Sequence, residues 1–207
     1  FHACDISGVA SRVLTIEIAQ KITRAIGVTF QHKKVVVGGD IRTTTVTFKD
    51  IIIAGLKASG CEVIDIGIVA TPVFYYAIKT QMAEGGVMIT ASHNPAQYNG
   101  FKLVLGENPV KEADIKEIER LVQVDAKVDG NGVVTTIDII DDYINYISAK
   151  AKKGQLKVVL DAGNGAMSKI APNLFRACSY DVVELFCEPD GNFPNRSPNP
   201  SIPTNLG

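Results

Sequence analysis

The chain has 207 residues, 46% of them hydrophobic, with 21 Lys and Arg against 22 Asp and Glu and a net charge of −1. That apolar share supports a buried core, and a charge so near zero supplies no general attraction to nucleic acid or to an acidic surface. No apolar run approaches the roughly 18 residues a membrane span needs, and the stretch that begins at Phe1 lacks a signal-peptide pattern, so a cytoplasmic setting is expected.

Thr15 can cap a helix whose apolar face is Ile18, Ile22, Ala25 and Ile26, with Gly27 as its stop. Lys34 to Val37 follows as a short strand, and Gly38-Gly39-Asp40 lies at its C-terminal end. The next helix places Phe48, Ile51, Ile52 and Leu56 on one face and ends at Gly60. Glu62 to Ile66 is a strand, and Thr71-Pro72 starts a helix, since Pro suits the first helical position. Gly86 to Ile89 and Phe101 to Leu105 are strands on either side of a polar loop. Lys111 to Val122 is an amphipathic helix with Ile115, Ile118 and Leu121 inward. The segment 125–136, rich in Gly, Asp and Asn, reads as a surface loop, and Ile139 to Ala151 as a helix.

The stretch Ala149 to Gly154 is a plausible boundary, after which the pattern restarts. Lys157 to Leu160 is a strand, Asp161 to Gly165 a turn, Ile170 to Ala177 a helix and Asp181 to Phe186 a strand. The tail from Cys187 to Gly207 holds five prolines and little periodicity. Strands alternating with helices imply an α/β architecture, a layered mixed sheet flanked by helices over residues 1–150 and an incomplete second α/β domain over 151–207. A unit as small as the second buries little apolar surface, so it either packs on the first or stops short. An unfinished sheet there would expose an apolar edge and favour self-association.

In such folds the chemistry collects at the carboxyl ends of strands. Asp40-Ile41-Arg42, Thr71 and Ser92 all fall at such ends, so three segments are expected to share one crevice. Cys4, Cys61, Cys178 and Cys187 form no Cys-x-x-Cys pair and read as reduced thiols, and His2, His32 and His93 lack zinc-ligand spacing. Gly163-Asn164-Gly165 invites a dinucleotide reading, but Ser168 stands where that pattern wants Gly or Ala.

Gly86 to Pro95 runs an apolar strand straight into a loop presenting Ser92 and His93. Adjacent residues of an extended loop point in opposite directions, which argues against a Ser92–His93 relay and against a serine hydrolase. A serine carrying a phosphoryl group suits the surroundings better, because Lys102, His93 and Asn94 offer donors and positive charge. Each has a plainer reading: Ser-His-Asn-Pro as a turn, Arg42 as a solvated surface arginine and Lys102 as an exposed strand residue.

Thr90-Ala91-Ser92-His93-Asn94-Pro95, followed by Tyr98-Asn99-Gly100-Phe101-Lys102, resembles the phosphoserine loop of the α-D-phosphohexomutases. The similarity is closest to their bacterial phosphomannomutase/phosphoglucomutase branch. Weaker matches follow in family order at Phe1 to Gly8, Asp40 with Arg42, Thr71-Pro72, Val158 to Ala166 and Asp190 to Asn195.

The resemblance implies an isomerase that exchanges phosphoryl groups between the 1- and 6-positions of a phosphosugar. Ser92 would be the phosphorylated residue, Lys102 would serve in proton transfer, and His93, Arg42 and Asn94 would support the reacting groups. A hexose 1,6-bisphosphate would be activator and intermediate. Mg²⁺ would bridge the Ser92 phosphate and an aspartate loop that this chain does not include. Cys4 and Ser7 stand where the family has tyrosine and arginine, and Arg196-Ser197-Pro198-Asn199-Pro200 replaces its His-His-Pro-Asp-Pro. The expectation for this chain alone is a truncated, inactive form, the rival being a non-catalytic remnant that folds and binds phosphate.

Overall fold

The computed structural model describes residues 1–3 and 5–203; Cys4 and residues 204–207, which end the tail, lie outside them. The elements run β1 (Ile6–Val9), α1 (Ile16–Thr29), β2 (Lys34–Gly39), α2 (Thr45–Ala58), β3 (Glu62–Ile68), α3 (Thr71–Thr80), β4 (Gly85–Ile89), β5 (Tyr98–Leu105) and β6 (Asn108–Pro109). They continue as α4 (Glu112–Gln123), β7 (Val133–Thr136), α5 (Ile140–Ser148), β8 (Lys157–Asp161), α6 (Ala171–Ala177) and β9 (Asp181–Leu185). Among the described residues they form a seven-stranded mixed sheet, ordered β1-β5-β4-β2-β3-β7 with β6 on β5, and a two-stranded parallel sheet of β8 and β9. The parallel pairs are β2 with β3, β2 with β4 and β3 with β7, while β5 runs antiparallel to β1, β4 and β6.

Both faces of the large sheet are covered, so its central strands are apolar on both sides. The period of two sends Val35 and Val37, Val87 and Ile89, and Phe101 and Leu103 to one face, where they meet Ile22, Ile26, Phe48, Ile52, Leu56, Ile115 and Ile118 of α1, α2 and α4. Val36, Met88 and Val104 point to the other, against Phe74 and Ala77 of α3 and Tyr143 and Ile144 of α5. Each such aliphatic side chain contributes about 1.5–3 kcal/mol by leaving water.

Thr15 caps α1, its side chain accepting from the Ile18 N–H at 3.2 Å. Two details of this helix differ from expectation. The buried stripe is Ala19, Ile22, Thr23 and Ile26, so Ile18 is exposed rather than inward. Gly27 lies inside the helix, which runs on to Thr29; a Cβ there would come within 2.1 Å of Ser59 Oγ, so the glycine permits the close crossing of α1 with the end of α2. The expected 125–136 loop ends in a strand, β7, which pairs with β3 at the sheet edge. All four of its side chains are exposed, so it has no buried apolar alternation to betray it.

The second unit packs on the first. Ile170 with Ala166, Met167 and Leu174 joins the apolar cluster built on α3 and α5. The Tyr76 ring meets those of Tyr143 and Tyr146 at 5.5 and 5.1 Å between centroids, fixing α5 to α3. Cys61, Cys178 and Cys187 are buried free thiols. Among the described residues no helix is long and apolar enough to cross a membrane.

Candidate active site

The C-terminal ends of β2 and β4, the N-terminus of α3 and the second unit enclose a crevice of about 520 Å³. Asp40, Ile41, Thr71, Thr90, Ser92 and His93 line one side; Ala162 to Ala166 and the segment from Phe193 to Pro200 contribute to the other. The three segments expected to converge do so, and the 161–165 turn and the proline-rich tail join them.

Ser92 is exposed and has φ +54°, a left-handed conformation that is uncommon for a residue with a Cβ. Its loop is therefore turned rather than extended, and Ser92 Oγ lies 3.2 Å from His93 Nδ1. The expectation that the two side chains diverge fails for this reason. Among the described residues no carboxylate hydrogen-bonds His93 to orient it as the third member of a relay.

Below the loop lies a buried polar network. Arg42, expected to support the reacting groups and in its plainer reading a surface arginine, has a side chain with no exposure at all. Its Nε donates to Asp40 Oδ2 at 3.1 Å. Nη1 donates to the carbonyls of Pro95 and Tyr98 at 2.8 and 2.9 Å, and Nη2 to those of Ser92 and Asn94 at 2.9 and 2.8 Å. The Asp40 carboxylate also accepts from the Arg42 N–H, from Thr45 Oγ1 and from Thr90 Oγ1, the last at 2.7 Å. Thr90 Oγ1 in turn accepts from the Ser92 N–H at 3.0 Å. Asn99, fully buried on β5, donates to Thr44 and Thr45 and accepts from the Gly100 N–H.

The tail closes the other side. Gly191 packs where a Cβ would lie 2.4 Å from the Ile41 carbonyl oxygen, and the Phe193 ring centroid is 5.5 Å from the Arg42 guanidinium carbon. Arg196 grips Asp161 through two hydrogen bonds of 3.1 and 3.2 Å and lies directly over Gly163. Asn164 is buried, donating to the Glu188 carbonyl and accepting from Asn195. Ser168 turns its hydroxyl to the Gly165 carbonyl at 2.6 Å, closing the turn before α6.

Ser92 and His93 thus meet at the crevice, and Asn94 joins the loop through its main chain. Lys102 is half-buried on β5, opposite Met88, and is not among the lining residues. Sequence reasoning missed Thr90, Asn99, Phe193 and Arg196. Asn99 falls outside the expected Phe101 to Leu105 strand, and its role comes from burial in the longer β5, where it must find partners.

Residues 1–129 match the family model described as phosphoglucomutase/phosphomannomutase, alpha/beta/alpha domain I, and residues 141–207 match domain II of the same family. The chain belongs to the phosphoglucomutase/phosphomannomutase family. It is 40% identical over 210 residues to a phosphomannomutase/phosphoglucomutase of Pseudomonas putida, covering all of this chain and 45% of that protein. It is 40% identical over 212 residues to a phosphoglucomutase of Neisseria gonorrhoeae, covering 46% of it. A crystal structure of a phosphoglucomutase/phosphomannomutase family protein from Burkholderia thailandensis superposes with a TM-score of 0.92 at 35% identity, covering 99% of this chain and 47% of that one. The chain therefore spans about half the length of the curated relatives it matches.

The family resemblance implies magnesium beside the serine. A hard cation takes oxygen ligands, carboxylates above all. Both Asp40 oxygens are committed to hydrogen bonds, and among the described residues no group of three or more His, Cys, Asp or Glu side chains is placed to hold an ion. The described residues do not by themselves make a magnesium site.

Proposed function

We propose that this chain carries the phosphoserine side of a phosphohexomutase, an isomerase interconverting hexose 1-phosphate and hexose 6-phosphate. The observation that supports this is the exposed Ser92 hydroxyl, held in a left-handed turn at a crevice with the His93 imidazole 3.2 Å away. The names of the relatives, phosphomannomutase/phosphoglucomutase and phosphoglucomutase, point to glucose and mannose phosphates as the sugars.

In this reading a phosphoryl group on Ser92 passes to the free hydroxyl of a hexose monophosphate. The P–Oγ bond breaks, a P–O bond to the sugar forms, and the hydroxyl proton passes by way of a base to the released Ser92 Oγ. The hexose 1,6-bisphosphate then turns, and its other phosphoryl returns to Ser92 Oγ, so no water is consumed. His93 steadies Ser92 Oγ, Lys102 serves in proton transfer, and Asn94 supports the loop. Water must be kept from the phosphoserine, and the tail around Phe193 and Arg196 supplies part of that cover. The division at residue 150 is our proposal for the domain limits, the setting is cytoplasmic, and self-association occurs through the β8–β9 sheet, where Val159, Val183 and Leu185 are exposed.

A second reading is a chain that binds phosphate without turnover, favoured by the lack of a carboxylate cluster beside Ser92 among the described residues. Incubation with glucose 1,6-bisphosphate, followed by peptide mass mapping and an isomerisation assay with magnesium, separates the readings. Phosphoryl on Ser92 without isomerisation by this chain alone is expected. Robust isomerisation sinks the second reading, a phosphopeptide elsewhere with Ser92 unmodified overturns the site, and phosphate release without isomerisation favours a hydrolase.

A further inference from the structure

We infer that Arg42 is a positioning residue that sets the shape of the Ser92 loop, and not a ligand for the substrate phosphate. The inference rests on the proposed role of Ser92.

A guanidinium has five N–H donors in a fixed fork. In Arg42 all five are committed, one to Asp40 and four to the carbonyls of residues 92, 94, 95 and 98. None remains for a phosphate, and the side chain is wholly shielded from solvent. The loop wraps around the guanidinium, so its carbonyls point inward and the Ser92 hydroxyl is left facing out.

The constraint on Ser92 itself is tighter. Its carbonyl is held by Arg42 Nη2, and its N–H is held by Thr90 Oγ1, which donates to Asp40 Oδ2. The peptide groups on both sides of the serine are therefore tied to one Asp40–Arg42 pair. That double hold accounts for a serine resting at φ +54°, which an untethered loop would relax. The pair is fixed from beneath by Thr45, which donates to Asp40, and covered by the Phe193 ring.

The test is Arg42→Lys in the full chain, with glucose 1,6-bisphosphate as the probe. Lysine keeps the charge but has three donors and no planar fork. The maximal rate of phosphoryl uptake at Ser92 should fall by about tenfold or more, because small misplacements of a reacting group are costly. The half-saturating bisphosphate concentration should stay within about twofold. Hydrogen exchange at the Ser92 and Asn94 amides should rise about tenfold while the Val36 and Met88 amides keep their protection.

A raised half-saturating concentration with an unchanged maximal rate would make Arg42 a ligand and overturn the inference. If the unaltered chain takes up no phosphoryl, the proposed function of Ser92 fails and the exchange readout alone decides. Unchanged exchange at Ser92 and Asn94 then overturns the positioning role. Should Arg42→Lys fail to fold, Thr90→Val, which removes only the hydroxyl between Asp40 and Ser92, must release the Ser92 amide in the same way.

Discussion

Ser92 bears a Cβ at φ +54°, where a side chain costs about 1–2 kcal/mol relative to glycine. Ser92→Gly should therefore be more stable than Ser92→Ala by about 1 kcal/mol, read from urea midpoints, although both remove the hydroxyl. Equal stabilities would show that the turn carries no strain. A different residue supplies a pH dependence. Burial pushes the Cys61 thiol up, and its Sγ–H donates to the Phe30 carbonyl at 3.0 Å. Because the native pKa lies above the unfolded one, the neutral thiol stabilises fully below the ordinary thiol value, and that contribution is lost as pH rises through the raised native value. Between neutral pH and about pH 10 the wild type should lose more stability than Cys61→Ala, measured by denaturant titration at each pH. At this scale the sequence was most readable where chemistry was local: Ser92 and His93 were legible as neighbours. The side-chain approach of Ser92 to His93 was not, because it depends on a backbone turn enforced by Arg42 from 50 residues away.

The elements were legible where an apolar face repeats at helical or strand period, as in α4, whose Ile115, Ile118 and Leu121 are buried as expected. They were obscure where an element lacks such a face, as in β7, or where a glycine has two uses. Gly27 has the look of a helix stop, yet serves a helix crossing. The same crossing offers a prediction at Gly55, where a Cβ would lie 2.0 Å from Thr23 Cγ2. On an open helix a Gly-to-Ala change stabilises by up to about 1 kcal/mol. Here Gly55→Ala should destabilise by about 1–3 kcal/mol through overpacking of α1 against α2, seen as a lower thermal midpoint. A raised midpoint would mean that the two helices part without cost. The Thr23 hydroxyl is already committed to the Ala19 carbonyl at 2.7 Å, which limits the rotamers by which it could give way.

Over the whole molecule, stability is unevenly distributed. The large sheet is buried between two helix layers, whereas β8 and β9 expose Val159, Val183 and Leu185. The amides of Val158 to Leu160 should accordingly exchange at least about 100-fold faster than those of Val35 to Val37 in native-state hydrogen exchange. Uniform protection would indicate a single cooperative unit. The architecture was readable in outline because strand and helix signals alternate along the chain. The closure of the crevice by the 187–200 tail was not, since it depends on close approaches such as Gly191 against Ile41 rather than on any periodic pattern.

The pairing of β1 with β5 sets a timetable. Ile6 lies opposite Phe101 and Val9 opposite Tyr98, so the strand that carries the far end of the serine loop is laid against a strand about 90 residues earlier. A polypeptide emerging from the ribosome cannot finish this arrangement until residue 101 is free, and the Arg42 fork has no loop carbonyls to grip until residues 92–98 follow it out. Contacts so distant in sequence are slow to close. The Ser92 loop is thus assembled late, after the α1–α2 layer has had time to form, and Gly191 and Phe193 settle over Arg42 only when the tail arrives.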